Sequence, residues 1–238
     1  MRILIVTDAW SPQVNGVVRT LNALIRELVA KGHDVRTINP EGRPSRPLPL
    51  YREITLTTTS AAAMRAEIAA VAPDAIHIAT EGPLGWIARR VCLREGLKFT
   101  TGFHTRFAEY AAARIPLPGV LALGWSILRR FHAPSQAVMV PTRSIGAELD
   151  RRRFQNVKVW TRGVDHGLFR PYPRDHLNMQ RPIILYAGRL AVEKGIDDFI
   201  ALKVKGSKVL VGDGPERARL QKSAPEAHFL GFRHGEDY

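Results

Sequence analysis

Cysteine is nearly absent: Cys92 is the single one among 238 residues. That excludes a disulfide framework and a cysteine-built zinc cluster, and it suits a reducing compartment. No apolar run approaches the ~18 residues that a membrane-spanning helix needs. The chain opens at once on the strand-like Met1-Arg2-Ile3-Leu4-Ile5-Val6, so no leader is expected ahead of it. Acidic side chains are scarce, 22 against 35 Lys and Arg, for a net charge of +13. What remains is ordinary, with 45% apolar and 24% charged residues, which excludes disorder and collagen-like repeats. Composition therefore predicts a soluble cytoplasmic protein of one large domain or two small ones.

The basic excess is uneven. Residues 1–110 hold 14 basic and 10 acidic side chains, residues 181–238 hold 10 and 8, and residues 111–180 hold 11 and 4. The middle stretch thus supplies +7 of the +13. A local excess of this kind attracts phosphate, on nucleic acid, anionic lipid or a nucleotide, while the plain alternative is solvated surface charge.

Apolar strands alternate with helical periodicities along the chain. Arg2 to Asp8 reads as a strand buried on both faces. A loop ending in Asn15-Gly16 follows, then a helix through Val17, Val18, Leu21, Leu24, Ile25 and Leu28 that closes at Lys31-Gly32. Further strands are predicted at 33–38, 73–79, 98–104, 137–140 and 157–160, with helices at 61–72, 84–96, 119–132 and 143–152. Phe169-Arg170-Pro171-Tyr172-Pro173-Arg174 reads as a linker. Beyond it the opening repeats: a strand at 182–188 ending in Gly188, a glycine-and-cation loop, a strand at 207–211 ending in Gly212-Asp213-Gly214-Pro215, and a strand at 228–232. The expected fold class is α/β, with two Rossmann-like, doubly wound parallel-sheet domains, 1–170 and 171–238. The second is incomplete, because three buried-type strands would lack neighbours; the sequence reads as a fragment.

In such sheets ligands bind beyond the carboxyl ends of the strands, where helix N-termini offer free N–H groups. Four loops are predicted there. Gly16 admits close backbone approach, although a turn glycine is often structural. Gly188-Arg189 with Lys194-Gly195 forms a candidate diphosphate clamp, a guanidinium and an ammonium at one strand-to-helix turn, with a solvated loop as the alternative. Gly212 and Gly214 make a tight turn able to pass beneath a base or ribose. Gly102-Phe103-His104-Thr105 places an imidazole at the sheet edge, structural or catalytic. Neither G-x-G-x-x-G after the first strand nor a P-loop is present, and Asp-x-Asp, His-Glu-x-x-His and Gly-x-Ser-x-Gly are missing too.

These segments together resemble the family 4 retaining glycosyltransferases of the GT-B fold. The matching pieces are Val14-Asn15-Gly16-Val17-Val18, Phe103-His104-Thr105, Arg162-Gly163-Val164-Asp165 with Phe169-Arg170-Pro171, Tyr186 through Gly195, Gly212-Asp213-Gly214-Pro215 and Phe229-Leu230-Gly231-Phe232. The resemblance implies two Rossmann-like domains facing a cleft and a hexosyl transfer, with retention, from a nucleotide diphosphate sugar. It implies that Asn15 and Gly16 meet the donor, that His104 sits beside the transferred sugar, and that Arg189 and Lys194 hold the diphosphate and stabilise its departing charge. Gly212 and Gly214 would line the nucleoside, with Phe232 and Arg233 near the base. The catalytic set is then His104, Arg189 and Lys194, without a cofactor and without a metal.

Trp160 to Asp165 and His104 to Tyr110 look most like members that mannosylate or sulfoquinovosylate lipids, which implies GDP-mannose as donor and a lipid or glycan as acceptor. Such enzymes visit anionic membrane. The helix predicted across 115–132, with Val120, Leu121, Leu123, Trp125, Ile127 and Leu128 between Arg114 and Arg129-Arg130, is a candidate contact with the inner membrane face; a packed core helix is the alternative. The family's Glu-x7-Glu segment is missing, and Glu236 comes too early to serve. The alternative reading is thus a truncated, inactive relative acting as a binding module. Nucleic-acid binding, suggested by +13 and Arg151-Arg152-Arg153, lacks a recognition motif or stacking platform and is not expected.

Overall fold

A strand apolar from Ile3 to Val6 requires cover on both faces, and β1 (Arg2–Val6) receives it. Leu4 and Val6 face one way and Ile5 the other, as the two-residue period dictates. The structure, a computed structural model, describes residues 1–13, 15–48, 51–115, 117–171 and 177–233. Val14 of the first loop, Tyr172, Pro173 and Arg174 of the expected linker, and the closing Gly235-Glu236-Asp237-Tyr238 lie outside the described residues.

After β1 come α1 (Gly16–Ala30), β2 (Asp34–Ile38), β3 (Ser45–Leu48), β4 (Tyr51–Thr57), α2 (Ala61–Val71), β5 (Ala75–Ile78) and α3 (Pro83–Arg94). They are followed by β6 (Thr100–Gly102), α4 (Phe107–Arg114), α5 (Val120–His132), β7 (Val138–Val140), α6 (Arg143–Arg151) and β8 (Val157–Val159). Six strands form one parallel sheet in the order β2-β1-β5-β6-β7-β8. Leu4 and Val6 pack with Met64 and Ile68 of α2, Leu84, Ala88, Val91 and Cys92 of α3, and Phe131 of α5. Ile5 packs on the opposite side with Leu21 of α1. Each such side chain, fully buried, contributes roughly 1.5–3 kcal/mol.

Gly163–Tyr238 forms a second compact unit, distinct from Met1–Arg162; the division falls eight residues ahead of the sequence-based boundary at 170. It holds β9 (Ile183–Ala187), a 3-10 turn (Val192–Lys194), α7 (Ile196–Ala201), β10 (Ser207–Val211), α8 (Arg217–Ser223) and β11 (His228–Gly231). Its three strands are parallel in the order β11-β10-β9, around a core of Leu190, Ile196, Leu210 and Leu220.

Three elements, β3, β4 and α4, escape the sequence reading. The antiparallel pair β3·β4 carries Pro47, a residue that argues against a strand except at an edge or bulge, and the register is indeed irregular between Pro47 and Leu48. Helix α4 is eight residues long with no side-chain cap at Arg106, so it carries no start signal. The helix expected from 119 begins at Val120, and its apolar residues divide. Trp125 and Leu128 belong to the core, whereas Leu121, Leu123 and Ile127 are exposed.

Candidate functional site

The strands β1, β5 and β6 are neighbours in a parallel sheet, so the segments that follow them emerge side by side at its carboxyl edge. Asp8, two residues past β1, reaches the start of α3. Its Oδ1 accepts from the Leu84 backbone N–H at 2.8 Å, and its Oδ2 accepts from the Gly85 N–H at 3.2 Å and from the Thr80 hydroxyl at 2.9 Å. Gly82, the N-cap residue of α3, has no side chain to do this, and a Cβ there would lie 2.3 Å from the Asp8 carboxyl carbon. Burial pushes the Asp8 carboxyl up to about 6; the bonds from Leu84, Thr80 and Gly85 oppose the rise, and the charge of Glu81 adds to it.

Asn15 caps α1: its Oδ1 accepts from the backbone N–H groups of Val17 and Val18, both at 3.0 Å. The side chain that the sequence assigns to the donor is engaged in holding the helix start. A Cβ on Gly16 would meet only Arg162 Nη1, at 3.7 Å, an ordinary contact. The same guanidinium donates from Nη2 to His104 Nδ1 at 3.1 Å. The start of α1, Arg162 and His104 are therefore one assembly within the first unit.

That bond fixes the imidazole. Arginine can only donate, so Nδ1 is the acceptor and the neutral ring carries its proton on Nε2. Nε2 is closed off from solvent and has no hydrogen-bond partner among the described residues. It lies over Gly102, where a Cβ would sit 2.4 Å from it; the ring occupies this place because residue 102 has no side chain. Burial first, then the charge of Arg162, holds the His104 pKa down at about 3. His104 is thus neutral across the physiological range. Trp160 packs edge-on to it at 6.4 Å, and equally to the half-buried His77, whose pKa burial of the ring lowers to about 4.

Beneath this edge lies a second buried set. His132 places Nδ1 2.8 Å from Thr101 Oγ1 and Nε2 3.2 Å from Glu81 Oε1. Thr101 donates to Ser135, whose hydroxyl donates to the His132 carbonyl. With its proton committed, the Thr101 oxygen accepts from His132, which holds the end of β6 firmly before His104.

The remaining candidates lie at the carboxyl edge of the other sheet. Leu190 N–H donates to the Asp213 carbonyl at 2.9 Å and Gly212 N–H to the Gly231 carbonyl at 2.8 Å, so the segments after β9, β10 and β11 are laced by backbone. Gly212, at φ +131°, would place a Cβ 1.9 Å from the Gly188 carbonyl oxygen, and Gly214 one 2.2 Å from that of Leu190. Both glycines are required for this packing. Arg189 is half-buried and its carbonyl accepts from the Tyr186 hydroxyl at 2.9 Å. Lys194 is exposed at the end of the 3-10 turn and has no ion-pair partner among the described residues. Phe232 and Arg233 are exposed just past β11. Asp213, between the two glycines, accepts from Arg217 at 2.6 Å.

The predicted residues fall into two groups: Asn15, Gly16 and His104 in the first unit, and Arg189, Lys194, Gly212, Gly214, Phe232 and Arg233 in the second. What Asp8, Gly102, the Glu81–His132 pair and Arg162 do escaped the sequence reading. Arg162 stood in a quoted motif, yet its partner is 58 positions away. A carboxylate ending a buried strand was the one visible signal for Asp8.

The model of glycosyltransferase family 4 matches residues 14–168. A GDP-mannose-dependent alpha-mannosyltransferase of Mycobacterium tuberculosis is 28% identical over the whole of this chain, which spans 69% of that relative. A sulfoquinovosyl transferase of Arabidopsis thaliana is 25% identical over 82% of the chain and 41% of its own length. Among solved structures, a sucrose-phosphate synthase from Thermosynechococcus elongatus superposes with a TM-score of 0.70 at 17% identity, covering all of this chain and 71% of that one. With two parallel Rossmann-like sheets and a family match across most of its length, the chain belongs to glycosyltransferase family 4 and has the α/β architecture of the GT-B fold.

Proposed function

We propose that this chain moves a mannosyl group from GDP-mannose to a lipid acceptor with retention of configuration. The observation that carries the reading is His104: a neutral imidazole with one committed nitrogen and one buried, unpartnered N–H, set beside the start of α1 in a chain of this family. A buried donor without an acceptor costs roughly 1–3 kcal/mol, and a sugar hydroxyl that accepts from Nε2 relieves that cost. GDP and mannose are supported by the mycobacterial relative, and a lipid acceptor by the likeness to a GDP-mannose-dependent phosphatidylinositol dimannoside mannosyltransferase of Mycobacterium tuberculosis.

In this reading the acceptor hydroxyl attacks the anomeric carbon on the face from which the diphosphate leaves. The carbon–oxygen bond to the diphosphate breaks as the new glycosidic bond forms, and the acceptor's proton passes to a departing phosphate oxygen. The developing negative charge is met by Arg189 and Lys194 instead of a metal ion. Leu121, Leu123 and Ile127 on the outer side of α5, beside Arg129 and Arg130, rest on the inner membrane surface. The Arg114 side chain, assigned to the same contact, lies outside the described residues.

Calorimetric titration with GDP, UDP and ADP tests the donor. GDP binding that weakens by about tenfold in Arg189→Ala and in Lys194→Ala is expected. Absence of nucleotide binding, or equal binding by the variants, overturns the clamp. Transfer from GDP-mannose is expected to survive EDTA and to yield an α-mannoside; a chelator-sensitive reaction or a β-product overturns those parts of the reading.

A further inference from the structure

On the outer side of the helical layer, α3 and the end of α5 enclose a shallow concavity lined by Trp86, Arg89, Arg90, Leu93, Arg94 and Arg130. Trp86, Arg89, Arg90, Leu93 and Arg94 follow one another at three- and four-residue steps and so share one face of α3. Arg89 serves the fold itself, donating to the carbonyls of Phe131 and Arg130 at 2.9 and 2.8 Å and tying the two helices together. Its guanidinium lies 5.2 Å from the centre of the Trp86 ring, which in turn packs on Phe131.

The other three arginines tie nothing together in this way. Arg90, Arg94 and Arg130 are exposed, and among the described residues none carries an ion pair. The one carboxylate adjacent in sequence, Glu95, is bound by Arg65 at 3.1 Å. Arg90 and Arg94 stand four residues apart on α3, the like-charge spacing that weakens a helix. Arg130 also repels Arg89, whose guanidinium is held below its ordinary pKa by burial first and by that neighbour second. Arginines near a helix C-terminus favour the dipole, which accounts for Arg94 and Arg130 singly but not for their convergence with Arg90 on one hollow. The hollow measures about 260 Å³, just below the range of ~300–1,000 Å³ usual for small-molecule sites, so it suits a compact anion better than a whole nucleotide sugar. Planar guanidiniums around a concavity are the donors that fit phosphate oxygens in pairs.

We propose that Arg90, Arg94 and Arg130, backed by Arg89 on Trp86, form a binding site for a phosphate group, separate from the assembly around His104. The phosphate can belong to a lipid headgroup or to a soluble phosphate; the recognition chemistry is the same. The site shares Arg130 with the α5 membrane contact of the transferase reading, but none of its residues belongs to the donor or sugar groups above, so the phosphate-induced Trp86 shift tests it independently of that reading.

The test uses the full chain and follows the indole N–H resonance of Trp86, identified by its loss in Trp86→Phe, during titration with inorganic phosphate and pyrophosphate at constant ionic strength. A saturable shift is expected, with affinity weakened about tenfold or more in Arg90→Gln/Arg94→Gln/Arg130→Gln and unchanged in the charge-matched Arg26→Gln/Arg143→Gln/Arg151→Gln. In parallel, cosedimentation with phosphatidylglycerol vesicles and with pure phosphatidylcholine vesicles is compared for the same proteins. Retention on the anionic vesicles that the first triple variant loses and the second keeps identifies the headgroup as the source; a Trp86 shift without such retention identifies a soluble phosphate. If the triple variant does not fold, Leu93→Glu places a carboxylate in the hollow from an exposed position and is expected to abolish both signals. No saturable Trp86 shift together with no selective vesicle binding, or equal responses from the two triple variants, overturns the proposal.

Discussion

At the carboxyl edge of the six-stranded sheet, side chains hold one another: Asp8 caps α3, Arg162 holds His104, and His132 bridges Glu81 and Thr101. At the edge of the three-stranded sheet the backbone holds itself, through carbonyl bonds between successive loops and glycines packed against carbonyl oxygens, and cations such as Lys194 are left in solvent. The difference suits two kinds of chemistry. A group that must meet a particular sugar hydroxyl needs a fixed orientation and a fixed tautomer, which buried partners supply. In the proposed reaction a charge that neutralises a diphosphate needs reach more than orientation, and the exposed Lys194 ammonium would supply that.

The largest expected effect breaks the second edge. In Gly212→Ala the new methyl would overlap the Gly188 carbonyl at a φ that other residues rarely adopt, and a loss of about 3 kcal/mol or more is expected in urea denaturation. Gly16→Ala, with only Arg162 at 3.7 Å, is expected to change stability by less than about 1 kcal/mol. Equal losses would end the distinction between a backbone-laced edge and a side-chain edge.

Next, His104→Ala is expected to lower turnover about 100-fold with nucleotide affinity unchanged. Gly102→Ala, which pushes the ring off its seat without removing it, should move turnover the same way by about tenfold. Unaltered turnover in both would remove the imidazole from the chemistry.

A pH experiment sharpens the role of Asp8. Its folded pKa is raised from 3.8 to about 6, so the folded state holds the proton more tightly than the unfolded chain. The stability this contributes is full below about 3.8 and is lost as pH rises through about 6. Relative to Asp8→Asn, the natural chain is expected to lose about 2 kcal/mol across that window, measured by denaturation at a series of pH values. A flat difference would mean that the carboxyl is not buried against α3.

The smallest effect is spectroscopic. Imidazole nitrogen shifts in the natural chain should report the Nε2–H tautomer of His104, and Arg162→Met should lose that preference and raise its pKa above the present value of about 3. Because burial is the larger cause, the pKa should stay below 6.5. Identical spectra would show that Arg162 does not orient the ring.

The alternation of apolar strands and periodic helices, the two-unit division and the strand ends bearing His104, Arg189 and Gly212 were all legible in the sequence, because each rests on a local pattern or on residues adjacent in the chain. Strand β3, with Pro47 inside it, and the uncapped α4 were not, since each lacks the local signal of its own type.

Hydrophobic periodicity determined most of the strands and helices, β3, β4 and α4 excepted, since buried faces recur with the geometry of the backbone itself. What the glycines and the polar residues are for was decided only in three dimensions. Asn15 is spent on its own helix, Gly212 on a neighbouring carbonyl, and His104 on a guanidinium 58 residues away. A hydrogen bond or a steric contact depends on distances of a few ångströms between segments remote in the chain, and spacing in one dimension does not contain those distances.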